Sequence, residues 1–510
     1  MKTDTNIQQR AFKNSYVGFI SFLVTMLQAF ISVPILLNLW GSETYGVWLA
    51  LFAGFTLFQS VDYGHINYLG NEMNLLYHKD KKELKNILSS SFRVAGFIGS
   101  FEILVAVVLI LSGQLGSVFG ISTDLFSQNL IATSLLVLIA NWVIIGSYGG
   151  ILHRLLIPAG FYYQSQWWII LFRLCQFFSV IIVASLGGSI LSVCVVYALV
   201  QLSAYLMMFL YIRKKIPEFF PWWGEGNWFT AFKNLKKSLL LTVTGFTQQI
   251  SNNGVILFIA NMISTSVVPA FSTLRTITNS TASITNILIQ SVYPEIARYH
   301  VKREINKLNS VFNSHWFFSG LIVNMGMLTI LPLVDQIYFL WTKGILAFDL
   351  SLFILLVASI SLLNFGSGYY YYLVVINSLV SQTTITILRA VVVFGAGFFL
   401  INIYGLIGIG GSIVLSEIIC SVFLPAYFIK KEYSKIGATF EMKYFLIALL
   451  PPIIVLILTF ITIFTEELNL YYWAASIILV FTVYIFNWKL LDDNVKQRAK
   501  DLIRSYIRFR

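Results

Sequence analysis

Apolar stretches of about 20 residues recur almost from one end of this 510-residue chain to the other. A bilayer core about 30 Å thick needs a helix of that length, because each helical residue adds about 1.5 Å. Backbone groups inside a membrane must bond within their own segment, so each stretch is predicted to form a helix. Fourteen stretches qualify, approximately at 16–39, 45–69, 88–111, 130–152, 167–186, 190–212, 239–262, 267–293, 312–334, 348–376, 380–401, 406–429, 444–464 and 470–488. The sequence therefore predicts an all-α, polytopic membrane protein with about 14 transmembrane helices.

The composition excludes a soluble enzyme, since hydrophobic residues make up 57% of the chain and charged residues only 11%. In a soluble protein, the net charge of +12 would suggest nucleic acid as a partner. Here the positive residues lie between apolar stretches, so the predicted partners are membrane lipids, and no nucleic acid. The five histidines and three cysteines show no ligand spacing, so the sequence predicts no metal and no cofactor.

Basic residues gather at every second loop of the predicted topology. Loops rich in lysine and arginine stay on the cytoplasmic side of a membrane, which places both termini there. Lys343 is the one basic loop residue predicted on the outer side, where the loops are short and often acidic. The predicted inner loops carry Lys79, Lys81, Lys82, Lys85, Arg213, Lys214, Lys215, Arg298, Lys302, Arg303, Lys307, Lys430, Lys431 and Lys435.

One long interruption divides the chain into two predicted lobes of six helices each, at 10–215 and 239–431. The interruption itself, at 216–238, contains Trp222, Trp223 and Trp228, and tryptophans of this density are typical of a linker lying at the inner membrane interface. Two further helices occupy 432–490, and the tail at 491–510 is predicted to be a basic amphipathic helix. Shifting the chain by 223 positions superimposes the spans of the two lobes, which predicts pseudo-symmetry. Repeated lobes commonly enclose a transport pathway.

Polar side chains form stripes inside several predicted spans. A charged residue at the centre of a membrane helix costs about 2.5–3.5 kcal/mol on insertion scales, so Arg275 requires a partner or water. Residues three or four apart share one helix face, and the stripes comprise Arg275, Asn279, Ser283 and Asn286 on one helix, Gln248 and Asn252 on the preceding one, and Thr25 and Gln28 on the first. We predict that these residues line a hydrated cavity between the lobes and bind substrate. The alternative is that the uncharged ones only join neighbouring helices.

The remaining intramembrane charges allow several interpretations. Arg389 and Glu417 lie on consecutive antiparallel helices at similar depth, which predicts a structural ion pair. Glu102 lies in the outer half of its span, either as a counter-ion for Arg275 or as a proton-coupling carboxylate. Asp62, Arg93 and Arg173 lie within about two turns of the cytoplasmic face, where side chains reach water easily. They could equally form a cytoplasmic entrance for an anionic headgroup.

The tract LLNLWGSETYGVW at 36–48, followed by VDYG at 61–64, resembles the polysaccharide-transporter family. In that family a first span leads into the pattern LG-x-E-x-YG-x-W, and D-x-G follows near the end of the second span. The tract SVYPEIA at 291–297 resembles the family's proline-containing exit into a basic loop. These flippases belong to the superfamily of multidrug, oligosaccharidyl-lipid and polysaccharide exporters (MOP). The chain differs in Trp40-Gly41, where Leu-Gly is commoner, and in Tyr63 within D-x-G.

The resemblance implies a two-lobed helical bundle with a central cationic cavity in a bacterial cytoplasmic membrane. It implies a polyprenyl-diphosphate-linked oligosaccharide as cargo, H⁺ or Na⁺ as a coupling ion, and other polysaccharide-assembly membrane proteins as partners. A cation-coupled multidrug exporter remains an alternative. A membrane polymerase or ligase for the same glycolipid is disfavoured, because such enzymes need a large outer loop with catalytic Arg or His. The predicted outer loops are all about fifteen residues or shorter, so the sequence predicts a transporter and not an enzyme.

Overall fold

The computed structural model describes residues 2–121, 127–437, 440–493 and 495–497. Within these ranges every regular element is helical. Their contacts divide the chain into two compact units, Met1–Pro269 with Trp341–Leu346, and Ala270–Leu340 with Ala347–Arg510. The short segment Trp341–Leu346 groups with the first unit because the Trp341 indole donates a hydrogen bond to the Phe30 carbonyl at 2.7 Å.

The first unit contains long helices joined by short turns. Its α-helices are α1 (Lys2–Leu76), α2 (Lys81–Leu111), α3 (Leu115–Phe119), α4 (Gln128–Asn141), α5 (Ser147–Leu155), α6 (Tyr162–Ser185), α7 (Ile190–Lys215), α8 (Trp228–Gln249) and α9 (Val255–Met262). A π-helical turn, Trp142–Gly146, joins α4 to α5, and a second, Ile250–Gly254, joins α8 to α9. Helix α1 packs against α2, α5, α6 and α8.

The second unit is built in the same way. Its α-helices are α10 (Val268–Ser291), α11 (Tyr293–Val301), α12 (Ile305–Gly320), α13 (Gly326–Ile330), α14 (Val334–Thr342), α15 (Leu350–Val375), α16 (Leu379–Glu417), α17 (Leu424–Lys435), α18 (Met442–Thr465) and α19 (Leu470–Leu490). Helix α15 is buried over most of its surface and packs against α12, α16 and α18. It is therefore the central helix of this unit.

The structure confirms an all-α, multi-pass membrane protein. In the described residues, ten helical stretches are long and apolar enough to cross a membrane. Two of them, Tyr16–Leu76 and Leu379–Lys435, each contain two predicted spans joined at a break in the helix, at Gly41 and at Gly405. Both glycines have positive φ, 69° and 56°, which lets the chain turn sharply at little steric cost. The predicted spans at 239–262 and 267–293 are helical too, but more polar than a typical membrane helix.

The division between the units differs from the lobes predicted by sequence. The helix at 239–262 groups with the first unit, whereas the sequence assigned it to the second lobe. The cause is its close packing along α1, described below. Helices α18 and α19 pack into the second unit, where the Asn324 amide donates to the Tyr484 hydroxyl at 2.9 Å. The predicted pseudo-symmetry of the lobes remains a prediction.

Part of the predicted interfacial linker is packed against the first unit. The Trp222 side chain is buried, whereas Trp223 and Trp228 are about half exposed. Asn227 caps α8 by accepting from the Thr230 backbone N–H at 2.8 Å, and its amide donates to Asn86 on α2 at 3.0 Å. Residues 216–238 are therefore attached to α2 and α7 on one side. The predicted basic tail at 491–510 lies almost wholly outside the described residues.

The basic-loop pattern leads to a test of topology. In a chain whose three native cysteines are replaced by alanine, we expect a membrane-impermeant maleimide added from outside to label cysteine at position 343. Cysteine at Lys215 or Lys431 should react only after the membrane is permeabilised, because basic loops remain cytoplasmic. Labelling of Lys215→Cys or Lys431→Cys in intact cells would contradict the fourteen-span topology.

Candidate transport site

Two glycines of α1 contact another backbone directly in the first unit. A methyl group built on Gly46 would overlap the carbonyl of Thr265, and one built on Gly64 would overlap the backbone of Thr242. Both glycines belong to the tracts YG at 45–46 and DYG at 62–64 noted in the sequence. We call these two contacts the glycine seam. Small residues let membrane helices approach closely, which explains why a glycine is needed at both positions.

Asp62 lies two residues from Gly64 of the seam and has two hydrogen-bond donors. It accepts a hydrogen bond from the Trp142 indole at 2.9 Å and another from the Ser147 hydroxyl. Its side chain is buried, so these donors replace the water that an ionised carboxylate would otherwise require. One turn further along α1, His65 Nδ1 lies 3.2 Å from the Ser238 hydroxyl of α8. The two helices are thus joined by a side-chain contact next to Gly64.

Glu102 is the second buried carboxylate of the first unit. It is 1% exposed, and among the described residues neither of its oxygens has a hydrogen-bond partner. Helix α2 packs closely on the π turn Trp142–Gly146 at Gly99, where an added methyl group would overlap the Val143 side chain. Such turns are frequent at functional sites.

The predicted entrance residues have separate partners. Arg173 on α6 donates to the Ser21 hydroxyl at 3.1 Å and to the Thr25 hydroxyl at 2.6 Å. It therefore joins the polar stripe of the first span. The Arg93 guanidinium lies 5.6 Å from the ring centroid of Trp228, a cation–π contact at the start of α8. Asp62 bonds to the π turn, as described above. Each of the three residues thus contacts a different element.

The other predicted polar residues of the first unit differ in exposure. The Gln28 amide nitrogen is buried and, in the described part of the chain, has no hydrogen-bond partner. Gln248 and Asn252 are exposed, whereas Thr244, four residues before Gln248, is buried. Asn252 falls inside the π turn Ile250–Gly254, which changes the direction of the helix face.

The second unit contains a charged cluster on α10 and α16. The Arg389 guanidinium donates to the Glu417 carboxylate at 3.0 Å and to the Ser421 hydroxyl at 3.0 Å. Ser421 donates to the same carboxylate. Arg275 on α10 lies 5.7 Å from the centroid of the Phe271 ring. The carboxylate of Glu417 thus accepts from both Arg389 and Ser421.

The polar stripe of α10 continues below Arg275. Asn279 is exposed, and its carbonyl accepts from the Ser283 hydroxyl at 3.1 Å. The Asn286 amide oxygen accepts from the Tyr371 hydroxyl at 2.9 Å, and the Tyr371 ring lies 5.4 Å from that of Tyr293. The sequence reasoning did not single out these tyrosines. The run of four tyrosines at 369–372 was the available signal.

No protein-family model and no curated protein matches the chain. Solved structures do match over most of its length. The chain superimposes on lipid II flippase MurJ in an inward closed conformation with a TM-score of 0.66 and 14% identity, over 94% of this chain and 99% of MurJ. It superimposes on an inward-facing MATE multidrug transporter of the MOP superfamily with a TM-score of 0.64 and 13% identity, over 82% of this chain and 95% of that one.

The chain has the MOP fold. A MATE transporter from Vibrio cholerae gives the same result, with a TM-score of 0.60 at 13% identity, over 85% of this chain and 98% of the transporter. At identities of 13–14%, these similarities show the fold alone. Among the described residues, no group of three His, Cys, Asp or Glu side chains could hold a metal ion.

Proposed function

We propose that this MOP-fold protein is a flippase for an undecaprenyl-diphosphate-linked oligosaccharide. It moves the repeat unit from the inner to the outer leaflet of a bacterial cytoplasmic membrane, for polysaccharide, O-antigen or capsule biosynthesis. The polar sugar-diphosphate headgroup cannot cross about 30 Å of hydrocarbon alone, whereas the polyprenyl tail can remain in lipid. Alternating access would expose the headgroup site to each side in turn.

Arg275 and the polar stripe of α10 are the observation that supports this proposal most. Arg275 lies inside a predicted span, and Asn279, Ser283 and Asn286 follow it on the same helix face. Arginine suits a diphosphate because its planar guanidinium forms two parallel hydrogen bonds to phosphate oxygens.

The residues around the cluster suit the sugar part of the cargo. Asn279, Ser283 and Asn286 offer amides and a hydroxyl on one face of α10, and such groups can both donate to and accept from sugar hydroxyls. In the first unit, Thr25, Gln28, Gln248 and Asn252 supply the same chemistry. We assign these seven positions, together with Arg275, to substrate binding, and Asp62, Arg93 and Arg173 to the cytoplasmic entrance.

The test is a reconstitution. We expect the purified protein in liposomes to move a fluorescent lipid-linked oligosaccharide between leaflets, measured by loss of fluorescence when a membrane-impermeant reductant is added. The oligosaccharide should be recovered unchanged in length and still attached to its lipid. Protein-free liposomes give the background rate. Lengthened or transferred oligosaccharide with this protein alone would overturn the assignment as a transporter.

A cation-coupled multidrug exporter is the second candidate. The similarity to MATE transporters and the buried carboxylate of Glu102 favour it. The same liposomes distinguish the two functions when they are loaded with ethidium under an imposed pH or Na⁺ gradient. Gradient-driven ethidium movement without movement of the lipid-linked oligosaccharide would favour the exporter.

A further inference from the structure

An apolar groove lies between α6 and α7 of the first unit, with a volume of about 280 Å³. Its lining residues include Leu171 and Cys175 of α6, and Leu199, Ser203, Ala204 and Met207 of α7. The hydroxyl of Ser203 donates to the Leu199 carbonyl at 2.9 Å within its own helix, so the one hydroxyl of the lining is already bonded. The groove therefore offers little to a polar ligand and suits hydrocarbon.

The dimensions of the groove suit a single hydrocarbon chain. Leu199 and Met207, at its two ends on α7, are separated by about 12 Å along the helix, at 1.5 Å per residue. Spread over that length, the volume corresponds to a cross-section of about 23 Å², which is about 5 Å across. A helix with its side chains is about 10–12 Å in diameter, so a helix from a second copy of the chain cannot enter.

Aromatic side chains continue the groove toward the end of α7. Residues three or four apart share one helix face, so Trp168 follows Leu171 on α6, and Tyr211 follows Met207 on α7. The two rings lie 5.8 Å apart, between centroids. Tryptophan and tyrosine are enriched where hydrocarbon meets lipid headgroups. This end of the groove therefore lies at a membrane interface, which is the cytoplasmic one in the predicted topology.

Lys215, one turn beyond Tyr211, places a positive charge at the same end. Its amine lies 5.8 Å from the centroid of the Phe161 ring and 5.9 Å from that of Tyr211. Lys85 pairs with Glu225 at 3.1 Å, whereas no carboxylate in the described part of the chain pairs with Lys215. An ammonium group is a point charge that binds phosphate well, so Lys215 is available to an anionic headgroup.

We propose that Lys215 and the groove bind one anionic phospholipid, with its phosphate at Lys215 and one acyl chain passing Tyr211 into the groove. A bilayer with its headgroups is about 40–45 Å thick, so one leaflet measures about 20–22 Å. The groove extends from about 12 Å to about 24 Å beyond Lys215, which is the depth that the end of such a chain reaches. Basic residues beside membrane helices recognise anionic headgroups in this way.

The first experiment uses a phosphatidylglycerol with a photoreactive diazirine near the end of one acyl chain. In liposomes that contain the purified full chain, we expect cross-links within 171–175 and 199–207, mapped by mass spectrometry. The yield should be severalfold higher than with a phosphatidylcholine that carries the same group. Lys215→Gln should lower it to the phosphatidylcholine level. Lys214→Gln should not, because Lys214 is exposed on a different face of the same turn.

Equal yields from the two lipids in the wild type would identify ordinary surrounding lipid and would overturn the proposal. Equal yields from Lys215→Gln and Lys214→Gln would also overturn it.

A second pair of variants tests the groove itself. Ser203→Phe fills the groove and should reduce the phosphatidylglycerol cross-links severalfold. Leu206→Phe adds a ring at an exposed position of the same helix outside the lining, and should leave the yield unchanged. An unchanged yield in Ser203→Phe would contradict an acyl chain in the groove.

Thermal midpoints separate lipid binding from folding. In phosphatidylcholine alone, Lys215→Gln and Lys214→Gln should unfold at the same temperature as the wild type. Addition of phosphatidylglycerol should raise the midpoint of Lys214→Gln and the wild type by a few degrees more than that of Lys215→Gln. An equal rise in all three would contradict the site.

Two other occupants would give different results. Undecaprenyl phosphate that displaces the photoreactive lipid better than unlabelled phosphatidylglycerol does would assign the groove to the tail of the cargo. Cross-linking of Cys175 between two copies by a bismaleimide, in place of lipid cross-links, would identify a dimer interface. Either result would overturn the proposal. The site shares no residue with those assigned to the cargo, so absence of flipping would leave it standing.

Discussion

Replacement of Arg275 by alanine should abolish flipping of lipid-linked oligosaccharide while the protein remains folded and inserted. Hydrogen bonds to charged groups contribute about 1.5–3 kcal/mol each. Loss of two such bonds to a diphosphate should therefore slow flipping by about a hundredfold or more, since 1.36 kcal/mol is a factor of ten. Arg275→Lys should retain part of the activity, because the charge survives and the planar geometry does not.

A control on the same helix separates binding from folding. The Thr276 hydroxyl donates to the Ser272 carbonyl at 2.8 Å within its own helix, so Thr276→Ala should flip at nearly the wild-type rate. Addition of undecaprenyl diphosphate should raise the thermal midpoint of the wild type and of Thr276→Ala, but not of Arg275→Ala. Flipping by Arg275→Ala at the wild-type rate would contradict a binding role.

Replacement of Glu417 by glutamine should cause the largest loss of stability. Glu417 and Arg389 are both largely buried, at 8% and 18% side-chain exposure, and their ion pair measures 3.0 Å. Removal of one partner of a buried pair leaves an uncompensated charge and costs about 3–5 kcal/mol. The loss should appear as a lower thermal midpoint in detergent, followed by tryptophan fluorescence.

Two further variants make that prediction specific. The double variant Arg389→Met with Glu417→Leu should recover much of the lost stability, because apolar residues of similar volume replace a buried pair well. Glu304→Gln removes the partly exposed partner of the exposed Lys307, also at 3.0 Å, and should change the midpoint little. An equal loss in Glu417→Gln and Glu304→Gln would show that burial of the pair is not the cause.

Hydrophobicity was enough to predict the approximate bounds of most spans. The predicted turns at 40–44 and 402–405 coincide with the helix breaks at Gly41 and Gly405. These features are local, since a membrane imposes both the length of each span and the need for internal hydrogen bonds. The spans at 239–262 and 267–293 were recognisable despite their polar residues because their lengths match the others.

The polar stripes were harder to predict because the helices are not uniform. A spacing of four places Thr244, Gln248 and Asn252 on one face only if the helix is regular. In the π turn Ile250–Gly254 each hydrogen bond spans five residues instead of four. Residues before and after this turn that are four apart in the sequence therefore do not share one face. Nothing in hydrophobic periodicity marks such a turn.

Contacts between residues far apart in the sequence could not be predicted from hydrophobic periodicity. Asp62 meets Trp142 and Ser147, 80 and 85 residues away. Arg173 meets Thr25, 148 residues away, although the sequence placed one at an entrance and the other in a cavity. Which helices become neighbours depends on the packing of the whole bundle, and a single sequence with two weakly similar halves does not specify it.

The glycine seam also has a kinetic consequence. At Gly46 and Gly64 the attraction between the two backbones is dispersion, which loses a quarter to a half of its strength over a gap of about 0.5–1 Å. The side-chain contact beside it, between His65 and Ser238, is similarly short in range. Such contacts lose a large part of their attraction once the backbones have moved apart by about the width of this gap, so a partly separated seam is not stabilised. We therefore expect α1 to separate abruptly from the backbone at Thr242 and Thr265. Single molecules would then show two discrete dwell states and no continuum of partly open ones.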